Sequence, residues 1–249
     1  MDRQKSPKVN SLPAILFWGL VWLLAASVCG NPLLLPGPVE VLQCLLELAV
    51  TASFWQITLV SIGRILMGVL WGIGLGVLLA VLGAKSNLLN ALIAPAMTAM
   101  QAAPVASFAI LVLIWVERDN VPVLICSMMV LPVIFGSVSG GIRSTDRQLL
   151  EMAAVFRLTP WTRLRRIWIP SVLPFLKASC ASALSLGWKA GIAAEVLTVP
   201  KFSIGRQISD AKLYLLTEEL FAWTLTVVLL SLLLQKLILL VLKGRGTDG

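Results

Sequence analysis

The chain has 249 residues, of which 58% are hydrophobic and 13% charged, and a formal net charge of +8. So little charge would not keep a soluble globular chain dispersed, so an integral membrane protein is expected, and the lack of period-2 alternation points to helices rather than a barrel. The absence of histidine excludes a histidine-based catalytic triad or zinc site, and Cys29, Cys44, Cys126 and Cys180 stand singly in apolar surroundings, as packing residues do.

A basic tail, residues 1–11, precedes an apolar segment from Leu12 to Gly30. A cleaved signal peptide competes with a retained span there, and Val28 before Cys29 fits lipoprotein processing poorly, so a first span is expected. Residues 31–57 hold Glu40 and Glu47 with no Lys or Arg, and Leu42, Leu45, Leu46 and Ala49 repeat at helical spacing; an amphipathic helix on the outer surface is predicted.

The second span is predicted from about Thr58 to Leu82. Gly68, Gly72 and Gly76 recur every four residues and so share a face on which another helix can approach closely. Arg64 lies one turn earlier on that face; it either lines a path or cavity, pairs structurally, or snorkels to the outer interface. Residues 88–116, interrupted by Pro95 and Pro104, are too few for two complete spans and are expected to form one kinked or partly unwound span.

A polar turn at 117–120 leads to a fourth span at 121–141, a charged island, a fifth span at about 171–197, a polar loop at 200–219, and a sixth span at about 220–242. The predicted fold is therefore an all-α membrane protein, a polytopic bundle of about six transmembrane helices. One membrane domain, 12–242, carries the loop 143–170 and is followed by a tail, 243–249.

Sidedness follows from the cations. Arg3, Lys5, Lys8, Lys85, Arg143, Arg147, Arg157, Arg163, Arg165, Arg166, Lys243 and Arg245 fall on one side, and Arg118, Lys201, Arg206 and Lys212 on the other. Both termini and the island are thus expected to face the cytoplasm across an inner or plasma membrane. Basic residues sorted by sidedness, not gathered into one patch, give no reason to expect a nucleic-acid partner.

The island, Glu151 to Pro170, reads as a helix-turn-helix outside the bilayer, with Thr159 and Pro160 as a helix start and Trp161, Leu164, Ile167 and Trp168 as an apolar face. By its residues alone it could rest on anionic lipid. Glu151, Met152, Ala153, Arg157, Ile167, Ile169 and Pro170 stand at intervals that resemble the loop signature of ABC-importer permease subunits: Glu-Ala-Ala, three residues, Gly, nine residues, Ile, one residue, Leu-Pro. Arg157 occupies the glycine position, so the turn is expected to shift to Leu158 and Thr159.

The stretches Gly187–Gly205 and Leu220–Thr224, with Pro104 and Trp115, resemble the nitrate, taurine and aliphatic-sulfonate branch of those permeases, although Val116 and Glu117 replace its usual Phe-Gly. The resemblance covers roughly 32–242. It implies that Glu151, Ala153, Arg157, Thr159, Pro160, Trp161, Leu164, Ile167 and Pro170 belong to a coupling loop that docks on a separate ATPase subunit. It also implies a homodimer of this chain and an outer solute-binding protein.

No Walker A pattern occurs, and Gly83-Ala84-Lys85-Ser86 lacks the adjacent Gly-Lys. No cofactor is expected on this chain, with ATP and Mg on the partner ATPase; the protein is read as a transport subunit, not an enzyme. Arg64, Lys189 and Glu195 are the candidates for lining a translocation path to a small, anionic solute, a sulfonate, taurine or nitrate, or for a thiamine-precursor pyrimidine. Lys189 shares a helix face with Ser182, Ser185 and Ala193, whereas Glu195 lies about 240° further round, so each needs a partner elsewhere. An ion-gradient-driven secondary transporter is the alternative; its usual inverted repeats are not evident.

Overall fold

The computed structural model describes residues 11–243 as eleven α-helices joined by turns and one π-helical turn. The tails beyond, with Arg3, Lys5, Lys8 and Arg245, lie outside the described residues. Among the described residues, α3 (Ala52–Lys85), α6 (Val121–Arg143), the continuous unit Pro160–Thr198 and α11 (Thr217–Lys243) are the helices long and apolar enough to cross a bilayer. A fifth crossing is made only if α4 (Asn87–Ala102) and α5 (Val105–Val112) act together. The first predicted span corresponds to α1 (Ser11–Cys29), whose apolar stretch Leu16–Cys29 is shorter than the others.

The amphipathic helix predicted after the first span is α2 (Pro38–Val50), shorter than the predicted segment. Thr51 ends it and at once caps α3, its side chain accepting a hydrogen bond from the Phe54 amide. No breaker follows, so α3 starts at Ala52 instead of the predicted Thr58 and runs for 34 residues, about 51 Å. That exceeds the roughly 30 Å hydrocarbon core, so α3 tilts or protrudes.

The three-helix centre rests on glycine. An added Cβ at Gly68 would meet the Val123 carbonyl at 2.6 Å, at Gly72 the Ser127 carbonyl at 2.8 Å, and at Gly76 the Leu131 carbonyl at 2.9 Å. Contacts that advance four residues on each helix mark α3 and α6 as parallel, with backbones in close approach. α9 (Ile169–Thr198) returns antiparallel, and here Gly187 meets Cys126 and Val130 of α6 while Gly191 meets Ile65 of α3. α6 is consequently the innermost helix, with Ile125, Val130 and Ile134 fully buried.

Gly72→Ala is expected to cost about 1–3 kcal/mol, because a backbone oxygen cannot swing aside as a side chain can. Gly74→Ala, on the open side with nothing within 4 Å, should be neutral or slightly stabilising. Thermal unfolding of the two purified variants tests the contrast.

The kinked or partly unwound span predicted for 88–116 takes the form of two helices bent by 104°. Ala103 and Pro104 both take extended backbone angles, as a residue before proline and an uncapped proline favour. Pro95 stays inside α4. α4 packs on α3 and α6 and α5 on α9 and α6, so the break redirects the chain across the bundle.

The second segment of the charged island is also not separate. α8 (Pro160–Arg163) passes through a π-helical turn, Leu164–Trp168, directly into α9. Pro170 supplies no amide hydrogen, and the widened turn just before it accommodates that loss. One helical rod therefore links the island to the far end of the bundle.

Candidate functional site

The coupling segment is assembled by local rules. Asp146 caps α7 (Arg147–Val155) by accepting from the Gln148 amide at 2.8 Å. Glu151 pairs with Arg147 at 3.0 Å on an exposed surface, a contact that contributes only tenths of a kcal/mol. Ala153 is fully buried, and its carbonyl accepts from both the Leu158 amide and Arg163 Nη2, which ties α7 to α8. Thr159 caps α8, accepting from the Thr162 amide at 3.3 Å, and Pro160 is the first helical residue.

The turn does not shift away from Arg157. Arg157 itself takes the left-handed conformation, φ 48°, with its amide donating to the Ala154 carbonyl and the Leu158 amide to that of Ala153. This is the Schellman end that a glycine makes without strain, so the expected displacement to Leu158 and Thr159 is replaced by a strained arginine. Arg157→Gly is expected to stabilise the fold by about 1 kcal/mol. An unchanged or lowered unfolding temperature would contradict that account.

Of the predicted apolar face, Ile167 turns inward at 6% exposure and Trp168 is half-buried, while Trp161 remains 69% exposed and Leu164 42% exposed. Val155 and Phe156, 79% and 71% exposed, join them from the end of α7. The sequence pattern had assigned no role to those two, because they sit at a helix end where periodicity is silent. Pro170 lies exposed in the first turn of α9.

At the other end of the bundle lies a polar knot. Glu195 on α9 is completely buried and accepts from Ser61 Oγ at 2.9 Å, Arg64 Nη1 at 2.9 Å and the Gly205 amide at 3.2 Å. Ser61 Oγ in turn accepts from the Ile204 amide, and Arg64 Nη2 donates to the Lys201 carbonyl. Any side chain at Gly205 would run into the Glu195 backbone, so glycine there is a packing requirement. Lys201 also donates its amide to Asp119, bringing the 117–120 turn into the same cluster. Arg64 thus ties α3 to α9 and to the connection that leads into α10 (Ile204–Leu213).

Lys189 is not part of this knot. It lies exposed on α9 with Ser182 and Ala193, and among the described residues it enters no ion pair. Ser185, half-buried, accepts from Gln235 Nε2 of α11 at 2.9 Å. Gln235 and the partly buried Lys177 of α9 are intramembrane polar groups that the apolar pattern of their spans concealed. The cysteines are free, and Cys126 donates to the Ile65 carbonyl at 3.4 Å inside the core. Burial first, then Glu219, Glu218 and Glu47, push the Cys44 thiol up, which disfavours its thiolate.

A multi-pass helical bundle with charge held between its spans and an exposed helix-turn-helix at one end defines a membrane transport subunit. Residues 72–243 match the family described as the binding-protein-dependent transport system inner membrane component, and the chain belongs to it: it is a permease subunit of an ABC importer, not an enzyme. It is 24% identical over 85% of its length to a putative aliphatic sulfonates transport permease protein of Bacillus subtilis, covering 76% of that protein. Over 94% of its length it is 22% identical to the taurine transport system permease protein of Escherichia coli, covering 86% of it. It is 27% identical over 93% of its length to a riboflavin transport system permease protein of Chloroflexus aurantiacus, covering 91%. The sulfonate and taurine relatives agree with the branch resemblance of the sequence, and membership implies ATPase and solute-binding partners.

Proposed function

We propose that this chain forms, as a homodimer, the transmembrane path of an importer for a small anionic solute, and that its Glu151–Pro170 segment docks on a cytoplasmic ATPase. The observation that carries the coupling reading is the exposed cluster Val155, Phe156, Trp161 and Leu164, an unpartnered aromatic and aliphatic surface on a rigid helix pair. ATP and Mg belong to the ATPase, and an outer binding protein delivers the solute. Both termini face the cytoplasm in this reading.

The motion follows from the rod. ATPase closure displaces α7 and α8, and α8 is continuous with α9, so the displacement reaches the level of Lys189 and the Glu195 knot without an intervening hinge loop. Lys189 is the path residue in this scheme: a charged side chain facing outward from a spanning helix is stable only against water, solute or a second subunit. Sulfonates and taurine are the favoured substrate class, since such permeases are among the relatives.

Lys189→Met in the full importer is expected to lower uptake of an anionic solute at least tenfold while leaving assembly and unfolding temperature unchanged. Uptake at the parental level with intact assembly would remove Lys189 from the path.

A further inference from the structure

Between α3, α6 and the start of α9, at the end of the bundle that carries Lys85, lies a half-open cavity of about 610 Å³. Its walls are Val77 and Val81 on α3, Ile142 on α6, and Trp168, Leu173 and Leu176 on the α8–α9 rod. Lys85, exposed in the last turn of α3, stands in the wall as its cation. From Val77 to Lys85 the groove follows eight residues of helix, about 12 Å, close to the roughly 15 Å depth of one bilayer leaflet.

We propose that this groove holds one acyl chain of an anionic phospholipid whose headgroup phosphate is taken by Lys85. An apolar slot of leaflet depth, closed at the membrane surface by a cation, matches that molecule in both shape and charge. The same end of the bundle presents Arg143, Arg165 and Arg166, all exposed, so the local field favours an anionic over a zwitterionic headgroup. A solute crossing the membrane would not need an apolar slot of this kind, and of the ATPase surface proposed above only Leu164 also lines the groove, while Val155, Phe156 and Trp161 do not.

Because one wall of the groove is the rod itself, through Leu164, Trp168 and Leu173, an occupied slot braces the rod against α3. Lipid composition therefore acts on the element that the ATPase is proposed to move. The lipid site depends on the membrane location of the chain and not on the ATPase reading.

The test places a photo-crosslinking residue at Leu173 in the full chain, reconstituted in phosphatidylethanolamine vesicles with a minority of phosphatidylglycerol, and weighs the adducts by mass spectrometry. Lipid adducts enriched in phosphatidylglycerol about fivefold over its share of the bilayer are expected, the preference that one cation near a headgroup confers. Lys85→Gln should return the adducts to the bulk lipid ratio while leaving the unfolding temperature unchanged. Adducts to a second copy of the chain, lipid adducts without enrichment, or enrichment that survives Lys85→Gln would each overturn the proposal. Because the vesicles contain no ATPase, failure here leaves the coupling reading intact, and failure of the coupling reading leaves this one.

Discussion

Phe156→Asp is expected to release the ATPase from the permease while the membrane bundle stays folded. Phe156 is 71% exposed and Trp161 69%, so neither contributes much to the packing of the chain itself. Buried against a partner, an aromatic anchor of this kind carries about 2–4 kcal/mol, which is roughly a 30- to 1000-fold loss of affinity when it is removed. A carboxylate at 156 adds the desolvation of a charge inside the contact. Trp161→Ala should fall at the lower end of the range, and Arg147→Ala, which removes only an exposed ion pair, should change little. Co-purification of the ATPase and ATP-driven uptake in vesicles read the effect. Parental levels of both in Phe156→Asp would mean that the segment docks elsewhere or not at all.

Breaking the Arg64–Glu195 pair from one side is the second large effect. Arg64→Met leaves a buried carboxylate with only Ser61 Oγ and the Gly205 amide as donors, and Glu195→Met leaves a guanidinium with only the Lys201 carbonyl. Removing one partner of a buried pair costs about 3–5 kcal/mol, whereas replacing both with apolar side chains of similar volume is often close to neutral. Arg64→Met combined with Glu195→Met should therefore recover much of the unfolding temperature that either change loses alone. If both single variants keep the parental unfolding temperature and lose uptake, the pair belongs to the solute path and not to the framework.

The knot explains why Arg64 and Glu195 were legible only in part. Each is conspicuous in a sequence because charge inside a membrane span is costly, and each needs a partner off its own helix. That the partner of one is the other depends on α9 returning antiparallel across α3, and nothing local to either span encodes that crossing. Ser61 and Gly205 were invisible for the same reason: a serine in an apolar helix and a glycine at a helix start are ordinary until a carboxylate arrives beside them. Lys189 is the converse case. Its face was readable from helical period, and tertiary structure adds that Lys189, Ser182 and Ala193 are left open on it while Ser185 meets Gln235 of α11.

The charged island shows where local rules hold and where they stop. Thr159 and Pro160 begin a helix because a side-chain acceptor and a preset φ do so in any context. Arg157 keeps the glycine conformation because the two Schellman hydrogen bonds, and the Arg163 contact to the Ala153 carbonyl, together outweigh about 1 kcal/mol of left-handed strain.

Composition and hydropathy by themselves determined a helical membrane protein, because satisfying every backbone group in hydrocarbon leaves few other choices. The spacing of Glu151 through Pro170 already resembled the loop of the family that the match over residues 72–243 shows, because those intervals count residues and not contacts. The glycine stripe of α3 was likewise readable, since period four is a property of one helix. Only the tertiary structure decided that α6 is the helix that stripe receives, that 88–116 is broken by 104°, and that the island is continuous with α9. Each of those depends on which helices lie side by side, and packing of that kind is a relation between segments far apart in the chain.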